Sequence, residues 1–113
     1  MNRGIGGFGA GVKRSEPIAW AAGGIYRLTH GFGVMPSQVR VVLRFTAASG
    51  RFAAGDEMVF TSSITAVVGG SVYGLDLGRS PQYVHVEVAP AGFATVSGTT
   101  VAGVTVLIIE AEI

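Results

Sequence analysis

The sequence has no cysteine, which excludes disulfides and thiolate metal ligation and leaves the redox compartment open. Charge is also scarce. Lys, Arg, Asp and Glu make up 13% of the 113 residues, against 49% apolar. A lone soluble domain usually carries about 25% charged residues. So little charge predicts that part of the surface is hidden against other copies of the chain; a monomer with a Ser/Thr/Gly surface is the alternative. Long apolar runs are missing too. The longest, "VTVLIIEAEI", is interrupted at Glu110 and falls short of the roughly 20 residues of a membrane helix, so no membrane insertion is expected. Arg3 is present near the start but no apolar stretch follows it, so a secretory signal is not expected.

The length suits one domain, able to bury roughly two-thirds of its unfolded surface. The net charge of +1 argues against general nucleic-acid binding. Its distribution is uneven. Through Arg51 the only acid is Glu16, whereas beyond it the only base is Arg79. Either one half faces the opposite half of a neighbouring copy, or strands of the two halves pair within one chain; the second is the simpler reading.

What is abundant is glycine, 18 residues. Residues 1–16, "MNRGIGGFGAGVKRSE", are glycine-rich and basic and predict an extended arm that does not fold alone. Ile5, Phe8 and Val12 would let it dock as a strand on a partner; a disordered tail is the other reading. From Pro17 to Ile113 the period is two. "VRVVLRF" places Val39, Val41, Leu43 and Phe45 on one face, and "YVHVEV" places Val84, Val86 and Val88 on one face, as half-buried antiparallel strands do. "VTVLIIEAEI" is apolar on both faces until Glu110 and predicts a central strand. "GIYRLTH", "EMVFTSS", "SVYGLDL" and "FATVSG" read as weaker strands. "MPSQ", "VVGG", "GRSP" and "APAG" read as turns, and "ASGRFAAGDE" as a hairpin connection with Gly50 and Gly55 at positive φ. The prediction is an all-β, small antiparallel β-sandwich of six to seven strands over residues 17–113.

Reactive constellations are few. "GIGGFGAGVKRS" departs from the G-x-x-x-x-G-K-[ST] phosphate loop, because Val12 separates Gly11 from Lys13. His30 and His85 are the only histidines, and Asp56 and Glu57, being adjacent, would point to opposite faces of a strand. No serine lies in a G-x-S-x-G elbow. Paired carboxylates for glycoside cleavage would have to come from Asp56, Glu57, Asp76 and Glu87, brought together by the fold. No cofactor, metal site or catalytic residue is expected. Trp20, Tyr26, Tyr73 and Tyr83 have stacking faces suited to sugars, though such residues more often fill a β core or an interface. The richest cluster is "VYGLDLGRSPQY", where Tyr73, Asp76, Arg79 and Tyr83 surround a turn; these are the candidate receptor contacts.

The order "LTHGFGVMPSQVRVVLRFTAASGRFAAGDEMVF" resembles a segment of tailed-phage tail-fibre and related virion proteins. Those typically read "HGLG", a variable residue or two, proline, "VQVVL", then a "GY…GDE" hairpin. The corresponding residues are His30, Gly31, Phe32, Gly33 and Pro36, then Val39, Val41 and Leu43, then Gly50, Phe52, Gly55, Asp56 and Glu57. "GVTVLIIEAEI" is similar to their closing strand. The likeness spans residues 24–63; Phe45 and Phe52 stand where cysteine and tyrosine are common. It implies small β-sandwich modules akin to the H-type lectins, assembled as trimers or trimer pairs and often touching the host surface. No motif matches the sugar contacts of those lectins. His30, Gly31, Gly33, Pro36, Gly55 and Asp56 then form turns, with the imidazole bonded to a backbone group or a neighbouring subunit.

The function expected from this resemblance is that of a structural bacteriophage virion protein: a short tail-fibre or tail-tip module, homotrimeric, that contacts a host-surface glycan or protein. A head-decoration or cement protein is the alternative, and a free carbohydrate-binding lectin the third. The arm would join it to other phage structural proteins. The expected location is the virion, after assembly in the host cytoplasm.

Overall fold

The computed structural model describes residues 11–93 and 101–113. They form eight strands: β1 (Val12–Arg14), β2 (Ile25–Thr29), β3 (Gln38–Phe45), β4 (Glu57–Phe60), β5 (Ile64–Val68), β6 (Ser71–Arg79), β7 (Tyr83–Val88) and β8 (Thr105–Glu112). All pairings are antiparallel, in two four-stranded sheets of order β1-β8-β3-β4 and β2-β7-β6-β5. This is the predicted β-sandwich, with more strands than the six or seven read from the sequence. The additions are β1 and β5. Residues 12–14, assigned to the arm, instead lie in the first sheet, where Val12 pairs with Glu112 and Arg14 with Glu110. Ser15 extends the contact: its N–H donates to the Ile109 carbonyl and its hydroxyl accepts from the Ile109 N–H. Ile5, Phe8 and most of the expected strand "FATVSG" lie outside the described residues.

Alternation sets the core. Val39, Val41, Leu43 and Phe45 of β3, with Leu107, Ile109 and Ala111 of β8, face Leu75 of β6 and Val84, Val86 and Val88 of β7. Each of the Val, Leu, Ile and Phe side chains, fully buried, contributes about 1.5–3 kcal/mol. Aromatic rings close the ends. Phe52, on the β3–β4 connection, stacks on Phe45 at 4.4 Å, and Trp20 meets Phe93 edge-on at 5.4 Å. The Trp20 indole N–H donates to Thr105 Oγ1 (3.0 Å), whose hydroxyl donates to the Val101 carbonyl (2.7 Å), so the buried polar groups are satisfied.

Strand β8 is interior in its sheet and apolar on both faces, as its sequence implied. Ile108 points away from the inter-sheet core yet is 1% exposed, beside Val42 on β3. Charges flank that row. Arg14 and Arg40 both pair with Glu110 (3.0 and 2.8 Å), and Arg44 pairs with Glu57 (3.0 Å). The basic first half and acidic second half of the chain therefore meet within one molecule.

Turns follow the glycines. Gly69 and Gly70 both have positive φ between Val68 and Ser71, the paired ends of β5 and β6, as a two-residue hairpin turn requires. Gly50 and Gly55 have φ of 58° and 96°, and Asp56 Oδ2 accepts from the Ala53 N–H, fixing the β3–β4 connection.

Candidate functional site

His30 is 2% exposed and bonded at both ring nitrogens. Nδ1 accepts from the Phe32 N–H (3.0 Å), and Nε2 lies 2.8 Å from the Ser80 carbonyl. An amide is only a donor, so Nδ1 is the acceptor and the ring proton sits on Nε2. The His30 N–H donates to Gln82 O and the Gly33 N–H to Pro81 O. Gly31 and Gly33, at φ of 69° and 77°, bend the chain so that these donors converge. The His-Gly-Phe-Gly motif thus fastens the β2–β3 connection to the β6–β7 turn. Its imidazole bonds backbone groups of its own chain.

The four candidate receptor contacts are separated. Tyr73 lines an apolar groove of about 150 Å³ on the β4–β5 side of the sandwich, with Met58, Phe60, Ile64, Ala66 and Phe93. Asp76 and Tyr83 are on the outer face of the second sheet. The Arg27 guanidinium stacks 4.3 Å over the Tyr83 ring, and His85 adjoins it. Asp76 pairs directly with Glu87; both are exposed on a shallow surface of about 130 Å³. Of the four carboxylates that could serve glycoside cleavage, this is the pair brought together across strands. Asp56 instead caps a turn and Glu57 holds Arg44.

Arg79 has a different setting. Its Nη1 donates to the carbonyls of Pro36 and Ser37 (3.0 and 3.1 Å), bridging the end of β6 to the lead into β3 across the sheets. Beside it opens a cleft of about 400 Å³ lined by Ser37, Gln38, Val39, Thr61, Ser62, Ser63, Leu77 and Arg79. That volume falls within the range of small-molecule sites. The lining has hydroxyls, an amide and one guanidinium, and no acid. Ser63 is held by the Leu77 N–H, which donates to its hydroxyl at 2.9 Å. Sequence reasoning found Arg79 but missed the hydroxyls, because they come from two connections, β2–β3 and β4–β5, far from it in sequence. Trp20 and Tyr26 are structural: the first is buried, and the Tyr26 hydroxyl accepts from the Ala21 N–H at 2.7 Å.

The β4–β5 side carries several exposed apolar residues: Val59, Ile64, Val67 and Val68. Among the described residues strand β5 pairs only with β6, and every residue in it is exposed; Val67 and Val68 are 67% and 65% exposed. From Met58 through Leu75 the chain has no charged residue and no proline. Two devices that often protect an edge strand, charge and proline, are therefore missing from it.

Among the described residues no group of three or more His, Asp or Glu is placed to hold a metal ion, and no helix is long and apolar enough to cross a membrane. Compared with known proteins, the chain matches no family profile, no curated protein and no solved structure.

Proposed function

We propose that this chain is a structural, non-catalytic module of a bacteriophage virion, assembled as a homotrimer and placed where it contacts the host surface, as in a short tail fibre or tail tip. The virion setting rests on the His30–Glu57 resemblance. The observation that carries the assembly reading is the uncharged β5 edge beside the Met58–Phe60–Tyr73 groove. A free strand edge offers a row of unpaired N–H and C=O groups, and here it also carries apolar side chains on both faces. In water that combination is unfavourable and favours burial against another copy. Three copies with their β4–β5 sides turned toward a common axis would hide it and leave the β2–β7 part of the second sheet open on its outer face. Repeated weak contacts on such an assembly add up through avidity.

The same edge fits the head-decoration reading, in which β5 adds to a strand of a neighbouring capsid subunit. Sedimentation equilibrium of the purified chain at micromolar concentration tests the assembly. A trimer is expected, and a monomer would end the proposal. Cryo-electron microscopy of particles carrying the protein distinguishes tail from head.

A further inference from the structure

We infer that the cleft beside Arg79 binds a saccharide bearing a carboxylate. This deepens the host-contact reading above and rests on it for its biological setting, though not for its chemistry. Arg79 is pre-oriented: one nitrogen is committed to the Pro36 and Ser37 carbonyls. Among the described residues its Nε and Nη2 hydrogens have no partner. A guanidinium held in this way presents a planar pair of donors, the geometry that a carboxylate matches with two parallel hydrogen bonds. No acid lines the cleft to compete for it, in contrast to Arg14, Arg40 and Arg44, which are all paired with glutamates.

The rest of the lining fits a sugar rather than a bare anion. Thr61 and Ser62 supply hydroxyls that can both donate and accept, as sugar hydroxyls require. Gln38 adds an amide with both capacities, and Leu77 with Val39 gives an apolar floor for the C–H face of the ring. The cleft is several times larger than a single small anion needs. A neutral sugar would leave the guanidinium without its ion partner, so the acidic group decides the affinity.

The test is a titration of the full chain with glucuronic acid, glucose and inorganic phosphate in separate arms, followed by amide chemical shifts at constant ionic strength. Glucuronic acid is expected to shift Ser37, Thr61, Ser62 and Ser63, with glucose weaker by about tenfold or more, the factor that a charge-assisted hydrogen bond contributes. Phosphate is expected to bind more weakly than glucuronic acid. Arg79→Lys should lower affinity. Because Arg79 also clips two carbonyls, Ser62→Glu serves as a second variant: it is exposed, leaves the clip intact and places a competing carboxylate at the cleft. Loss of glucuronic acid binding in Ser62→Glu supports the inference. Unchanged binding in that variant, equal binding of glucose or phosphate, or no shifts at all with glucuronic acid overturns it. A chain that forms trimers yet fails this titration loses the cleft inference and keeps the assembly reading; a monomer that passes it does the reverse.

Discussion

The imidazole of His30 and the carbonyl of Ser80, 50 residues apart in sequence, lie 2.8 Å apart in a partly buried bond. The ring's other nitrogen is taken by the Phe32 N–H, and the ring itself stacks on Phe32 at 4.6 Å. One side chain thereby ties the β2–β3 connection to the β6–β7 turn.

His30→Phe keeps an aromatic ring but leaves the Phe32 N–H and the Ser80 carbonyl without their partner. The expected loss is about 2–3 kcal/mol, read as a lower urea midpoint with an unchanged slope. A midpoint equal to that of the parent would remove His30 from the framework of the fold.

Gly74 sits in β6 at φ of 116°, and a Cβ there would lie 2.0 Å from the Ile64 carbonyl oxygen; at Gly78, four residues on, a Cβ would meet nothing within 4 Å. Gly74→Ala should therefore cost about 2–3 kcal/mol or more, because backbone strain and a backbone clash add. Gly78→Ala should stay within about 0.5 kcal/mol. Thermal unfolding of the two variants side by side checks the contrast, and equal midpoints would contradict it.

Thr105→Val nearly preserves shape but leaves the Trp20 indole N–H unpaired, while the Val101 carbonyl keeps the Val104 N–H as its remaining donor. Trp20→Phe removes the donor together with its need. Thr105→Val is expected to cost about 1–3 kcal/mol, chiefly from the orphaned indole N–H. Trp20 is the sole tryptophan, so its fluorescence in Thr105→Val reports unfolding directly. Stability equal to the parent would mean that the Trp20–Thr105–Val101 relay contributes nothing.

Glu110 bridges Arg14 and Arg40, whose side chains remain 47% and 40% exposed. Solvent screening holds such pairs to about 1 kcal/mol or less. Glu110→Gln should lower stability by no more than that, and the difference from the parent should shrink in 1 M salt. A loss that persists at high salt would point to packing rather than charge.

Val67→Lys places a charge in the middle of the exposed β5 edge, at a position with no buried role in the single chain. Secondary structure and unfolding midpoint at low concentration should be unchanged, while the assembled species converts to monomer. An assembly that tolerates Val67→Lys would put the subunit contact elsewhere on the surface.

Much of the fold was legible in the sequence because burial imposes a period. Val39, Val41, Leu43 and Phe45 alternate with Arg40 and Arg44, and only one face of a pleated strand can hold them in a core. The glycines of "ASGRFAAGDE" and "VVGG" marked turns for an equally local reason, since they relieve the steric cost of positive φ. Strand β5 escaped notice because "ITAVV" does not alternate, and both its faces are open. Strand β1 escaped because Val12–Arg14 is a strand only through β8's otherwise free edge. The candidate contacts Tyr73, Asp76, Arg79 and Tyr83 are near one another in sequence, but alternation and the turn send them to the inter-sheet groove, the outer face and the cleft.

The sequence by itself determined that this chain is all-β, which residues of each regular strand face inward, and where the backbone reverses. Those outcomes depend on contacts and torsions within a few residues. Only the tertiary structure decided which strands share a sheet, that Glu110 answers two arginines, that His30 closes on Ser80 and that Arg79 opens beside Thr61 and Ser62. Each of these joins segments far apart along the chain, and alternation assigns a side chain to a face without naming what lies across from it.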